Sequence, residues 1–163
     1  MARKVFFSFH FALDYWRASQ VRKMGALEGN EPVSDNDWET IKRGGDPAIE
    51  RWIAGQLKGK TCAVVLVGAQ TASRPWVKYE IKKAWVDGLG VVGIRIHGLK
   101  NHAEQTSTAG GNPFDAWNIG TTPMSQVVTL YSPPGADSKA VYASISNNLD
   151  TLVENAIKIR AKY

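Results

Sequence analysis

Cysteine is nearly absent. Cys62 stands alone inside the apolar run TCAVVLVG, where it reads as a small buried hydrophobe with no disulfide partner in the chain. That usage favours a reducing compartment and predicts a cytoplasmic protein. No two Cys or His residues have metal-ligand spacing, so no metal site is expected. No apolar stretch approaches the ~20 residues of a membrane span. The opening MARKVFFSFHF puts basic residues before an apolar run, but the run is short and aromatic and lacks a small-residue cleavage site; it reads as a first strand and not as a signal peptide. Dense charge of one sign is also missing. The net charge is +5, spread along the chain with modest clusters at RKMG and IKRGG. That pattern suits a solvated surface that attracts anionic small molecules, and argues against a nucleic-acid interface. There is no G-x-G-x-x-G turn, no Walker A loop and no nucleophile elbow, which argues against hydride-transfer Rossmann enzymes and P-loop NTPases.

What is present is an ordinary soluble composition over 163 residues, 44% hydrophobic and 21% charged, enough for one domain over residues 1–163 with a sizeable core. Lys4 to Phe9, Thr61 to Val67, Val91 to Ile96 and Val127 to Tyr131 read as strands, with TCAVVLVG continuous and β-branched as central parallel strands are. Val33 marks a further short strand. FALDYWRASQVRKM reads as a helix or a helical loop. DPAIERWIAGQL carries helix-start chemistry, with Asp46 as N-cap and Pro47 at the first position. The segment from Pro75 to Asp87 is punctuated by Pro75 and Gly88, with Val77, Ile81, Ala84 and Trp85 as its buried stripe. From about Ser138, the residues Val141, Ile145, Leu149, Leu152, Ala156 and Ile159 make one apolar face. Between these lies a long polar stretch, Leu99 to Gln126, of a length that points to function or disorder. Strands alternating with helices predict a mostly parallel sheet covered on both faces, whose ligand edge is at the carboxyl ends of the strands.

Three segments converge on that edge: SFHFALD, GAQTASRPWVKYE and the Leu99 to Gln126 loop. On spacing alone, Glu80 reads first as a solvated helix acid, paired at most with Lys83, because most helix glutamates are exposed. Trp76 reads first as a packing anchor, His10 as a hydrogen-bonded loop histidine, and Asp14 as an acid suited to the first turn of a helix. GGNPFDAWN reads as a loop pinned by Phe114 and Trp117, or as a lid whose Asn112 offers an amide to a ribose or base. Ser34, Asp35, Asn36 and Asp37 look like turn and cap chemistry.

KVFFSFHF, DYWRASQVRKMG, EGNEPVSDNDWE, IERWIAGQLKGKTCAVVLVG, W-x-x-YEIKKAW and NPFDAW together resemble the TIR-like proteins of bacterial Thoeris antiphage defence, over nearly the whole chain from about Lys4. More loosely, FFSFH resembles the first box of TIR domains, and W-V-K-Y-E-I resembles their W-C-x-x-E-L. Two departures are Val77 in place of the usual cysteine, and Asp14 at six residues after Ser8, one more than the common spacing. The resemblance implies a flavodoxin-like α/β fold and cleavage of NAD as a substrate, with no separate cofactor. The family's catalytic glutamate falls on Glu80. Phe9, His10, Asp14, Trp76 and Asn112 are the candidate substrate contacts. A cyclic product is implied not by the residues but by the family: an ADP-ribose-type signal sensed by a separate effector, with self-association into a homo-oligomer and a phage-derived trigger as further readings. The rivals are a nucleoside deoxyribosyltransferase-like enzyme using a glutamate nucleophile, and a non-catalytic TIR-like interaction module.

Overall fold

A computed structural model describes residues 3–24, 29 and 40–163. The expected strand at Val33 and the turn residues Ser34, Asp35, Asn36 and Asp37 lie outside the described residues. The elements begin with β1 (Val5–Ser8), α1 (Phe11–Arg22), α2 (Gly45–Leu57) and β2 (Cys62–Val67). They continue with α3 (Pro75–Val86), β3 (Gly90–Arg95), the short β4 (Asn118–Ile119) and β5 (Thr122–Pro123), β6 (Leu130–Tyr131) and α4 (Ser138–Arg160). Strands β1, β2, β3 and β6 form one parallel sheet in that order. The fold is α/β with helices on both faces, as the sequence pattern predicts, and it is the flavodoxin-like arrangement that the resemblance implies.

Alternation along the strands sorts the core into two layers. Val5, Phe7, Cys62, Val64, Leu66, Val92 and Ile94 face α1 and α4, meeting Ala18, Val21, Ile145, Leu149 and Val153. Phe6, Ala63, Val65, Val67 and Val91 face α2 and α3, meeting Ile49, Ile53, Leu57, Val77, Ile81 and Ala84. β2 is buried on both sides along its whole length, which is why its sequence is an unbroken apolar run. A β-carbon on Gly90 would stand 2.7 Å from the backbone nitrogen of Ile157; a glycine there lets α4 lie directly on β3.

Several expectations are corrected. Asp46 lies within the first turn of α2, and Gly44 is the cap. On α4, Val153 takes the central buried place and Leu152 sits beside it, half-buried. Trp85 is likewise half-buried, with the Arg160 guanidinium 4.6 Å from its ring centre. The strand expected from Val127 is confined to Leu130–Tyr131, because the amides of Val127 and Val128 both turn back to the Met124 carbonyl. The stretch from Leu99 to Gln126 is not structureless. It holds two 3-10 turns, Pro113–Ala116 and Met124–Gln126, and the β4–β5 hairpin.

Candidate active site

Neighbouring strands β1 and β2 send the chain to opposite faces, into α1 and α3, so a crevice opens at their carboxyl ends. Glu80 enters it from α3 and Asp14 from α1.

Ser8 is the last residue of β1. Since Phe6 faces the α3 side, Ser8 does too, and its Oγ donates a 3.3 Å hydrogen bond to Glu80 Oε1. The solvated reading of Glu80 fails on this contact and on Lys83, which pairs with Asp87 at 3.0 Å instead. Glu80 is partly open to solvent, yet its carboxyl is lodged among protein atoms. Burial pushes its pKa up to about 8, against the smaller opposing effect of the Ser8 hydroxyl. A carboxyl held near neutrality in a crevice is one mark of a functional group.

Asp14 is buried at 1% exposure. Its Oδ1 accepts from Arg17 Nη1 at 3.2 Å, and burial raises its pKa despite the nearby guanidinium. Its carboxylate lies on Gly68, just past β2: a β-carbon there would stand 2.6 Å from Asp14 Cγ. Arg17, also buried, donates from Nε to the Leu99 carbonyl and from Nη2 to the Gln105 carbonyl, each at 2.9 Å. It thereby straps α1 to the loop after β3. His10 precedes α1 and is half-buried. Burial, reinforced by the Arg74 guanidinium, holds its imidazole below the usual range. Three buried side-chain atoms among the described residues have no hydrogen-bond partner: His10 Nδ1, Asp14 Oδ2 and His97 Nδ1. All three belong to this rim, and buried polar atoms without partners call for an explanation such as a ligand.

Asn112 caps the 3-10 turn Pro113–Ala116, its Oδ1 accepting from the Phe114 amide at 2.9 Å. The preceding Gly110 rests on the end of β2, where a β-carbon would stand 2.8 Å from the Ala69 carbonyl oxygen. The Asn112 loop therefore shares the rim with Glu80. Trp76 is half-buried against the α3-side core, edge-on to Tyr79 with ring centres 5.5 Å apart. Phe9 packs partly into the core on the opposite face and stacks with Phe11 at 6.2 Å. Sequence reasoning missed Ser8, Arg17, Arg95 and His97. A serine closing an apolar strand and an arginine inside IRIH were the available signals.

The sequence matches the model of the family described as the Thoeris protein ThsB, TIR-like domain, over residues 6–101, more than half of the chain. It is 36% identical over 121 residues to a protein of Bacillus cereus (strain MSX-D12) named "Putative cyclic ADP-D-ribose synthase ThsB1". That similarity covers 71% of this chain, and the chain spans 62% of the length of that relative. The residues matched by the family model take in all of β1 but Val5, then α1, α2, β2, α3 and β3, and with them Ser8, Asp14 and Glu80. The chain belongs to the family of the Thoeris protein ThsB TIR-like domain.

Proposed function

We propose that this protein cleaves the N-glycosidic bond between nicotinamide and ribose in NAD and closes the product into a cyclic ADP-ribose-type nucleotide. The observation that carries this reading is Glu80: a carboxyl drawn into the crevice between β1 and β2, held by Ser8 Oγ at 3.3 Å. The name of the Bacillus cereus relative supports the substrate and product class.

Nicotinamide in NAD is already cationic, so it leaves as a neutral base with the electron pair of the broken bond and needs no general acid. Positive charge then develops on the ribose, as in glycoside hydrolysis. The Glu80 carboxylate, desolvated by the surrounding protein, stabilises that charge at close range. A hydroxyl of the same nucleotide supplies the electron pair for the new bond and gives its proton to Glu80, which burial favours as the neutral acid. The unpartnered His10 Nδ1 and Asp14 Oδ2 suit the hydroxyls of a bound nucleotide, and Asn112 has an amide nitrogen left over from its cap. Trp76, and Phe9 from the other side, are the aromatic contacts of this reading. In defence, the product is a signal to a separate effector, with a phage-derived trigger and self-association as its controls. Residues 1–163 act in this reading as one domain, in the cytoplasm, where NAD is available.

The test is NAD consumption, with mass spectrometry of the product, for wild type and Glu80→Gln under activating conditions. Loss of one well-placed electrostatic partner slows such steps ~10²–10³-fold. Equal rates in the activated variant and wild type would sink the assignment, and turnover of nucleosides in place of NAD would point to deoxyribosyl transfer instead.

A further inference from the structure

Arg95 ends β3. Its neighbours Ile94 and Ile96 face the α1–α4 layer, so alternation aims Arg95 at the α3 side, the side of Ser8 and Glu80. Ser8 pairs with Val65 and Arg95 with Val67. Arg95 therefore stands two strands across from Ser8 and two residues nearer the rim, roughly 12 Å away on the strand grid. Its Nη1 donates to the Gly110 carbonyl at 2.6 Å. Only that one of its five N–H groups has a hydrogen-bond partner among the described residues. No carboxylate among the described residues lies within ion-pair distance of it. The contrast with Arg17 is instructive: that guanidinium has a carboxylate and two carbonyls.

A half-buried guanidinium without a counter-anion, at the carboxyl end of a central parallel strand, is poorly explained as loop support alone. One bond to Gly110 needs a donor, not a charge. The planar fork is suited to two oxygens of a phosphate, and the Gly110 contact fixes its direction. The spacing also fits. With an anomeric carbon at Glu80, a nucleotide lying along the rim brings its diphosphate toward β3. We propose that Arg95 is the diphosphate contact of the nucleotide site, gripping phosphate oxygens with the N–H groups that Gly110 leaves free. This rests on the nucleotide reading of the site and adds the residue that recognises its anionic part.

The experiment measures binding, so that it needs no triggered enzyme: ADP against adenosine, titrated into wild type, Arg95→Gln and Arg95→Lys. Wild type is expected to bind ADP more tightly than adenosine, with the excess shrinking as salt is raised. Arg95→Gln is expected to weaken ADP about ten- to a hundredfold, as loss of a charge-assisted hydrogen bond does, and to leave adenosine unchanged. Arg95→Lys is expected to fall between them, keeping the charge without the fork. If ADP and adenosine weaken together in Arg95→Gln, Arg95 only supports the Gly110 loop and the proposal is wrong. If wild type does not distinguish ADP from adenosine, it is wrong whether or not the variants fold. NAD turnover by wild type reports separately on the proposed reaction: an inactive protein that still shows the Arg95-dependent ADP preference would overturn the chemistry and leave the anion site standing.

Discussion

Replacing Glu80 by glutamine should do two opposite things: remove activity and stabilise the fold. The folded carboxyl has a pKa of about 8, against 4.5 for the unperturbed group. Between those values the folded protein holds a proton that the unfolded chain has released. Rising pH therefore favours unfolding across that window, and the penalty stops growing once the folded group itself ionises. Each pH unit in the window is worth about 1.4 kcal/mol, so near neutrality the penalty sums to roughly 3 kcal/mol. Glutamine is neutral in both states and escapes it. Its Oε1 still accepts from Ser8, but the added amide N–H groups lack an evident partner, which costs ~1 kcal/mol. A net gain of about 2 kcal/mol remains, and for a chain of this size that is a rise of roughly 4–8 °C in Tm. The assay is thermal or urea unfolding of wild type and Glu80→Gln at about pH 5 and about pH 8, with the difference near zero at the lower pH and growing toward the higher. A difference that is flat with pH, or that favours wild type at the higher pH, would refute the claim that this carboxyl is desolvated.

Other outcomes follow from the same geometry. Because kcat/KM reports the free enzyme, and the role proposed for Glu80 is that of a carboxylate, kcat/KM for NAD should climb with pH and level off above about 8; a profile falling through that range would contradict the proposed protonation state. Asn112→Asp keeps an oxygen for the Phe114 amide but loses the amide donor, so it should lower activity at nearly unchanged stability, whereas Asn112→Ala should also lose the ~1 kcal/mol of a cap; full activity in both would remove Asn112 from the site. Arg17→Met strands the buried Asp14 carboxylate and should cost ~3–5 kcal/mol in urea unfolding, while Arg3→Met, which breaks only the exposed pair with Glu154, should leave the midpoint in place; equal effects would show that the Asp14–Arg17 pair is not held in a dry environment.

The sheet was largely legible because its signals are local. β2 is an unbroken β-branched run, and α3 is bracketed by Pro75 and by Gly88, whose φ of +88° suits glycine. The errors arose where a distant partner decides. Val127 and Val128 have strand propensity, yet their amides are taken by Met124, so β6 is short. Arg17 looks like a solvated helix residue until α1 is set beside carbonyls more than eighty positions away. Glu80 has the same spacing from Lys83 whether its carboxyl faces water or the protein; only the contact with Ser8, 72 residues away, tells the two apart. Charge pairing within a helix is readable from sequence, but which of two acids a lysine selects is set by what the other acid meets across the fold, and here Asp87 receives Lys83 because Glu80 is turned toward β1.

The distribution of unfavourable groups carries the remaining argument. Below the rim, the two layers are apolar, and the side chains that fill them suit the places they occupy. At the rim the agreement breaks. Two carboxyls, Asp14 and Glu80, are held above their usual pKa by burial, and His10, Asp14 and His97 each bury an atom with no partner among the described residues. A fold selected for stability alone would replace these side chains with apolar ones or turn them to water. They are instead supplied by three segments: the start of α1 with its N-cap His10, the second turn of α3 and the loop after β3. Independent segments do not share such a defect by accident of local sequence, and local conflicts of this kind concentrate at functional sites. A bound nucleotide would resolve them together, since its hydroxyls supply partners for the orphaned atoms and its cationic end favours the ionised form of Glu80. The energy released when those groups find partners would then be available to orient the ribose against Glu80, so the unfavourable groups of the rim and the chemistry proposed for it have one physical origin.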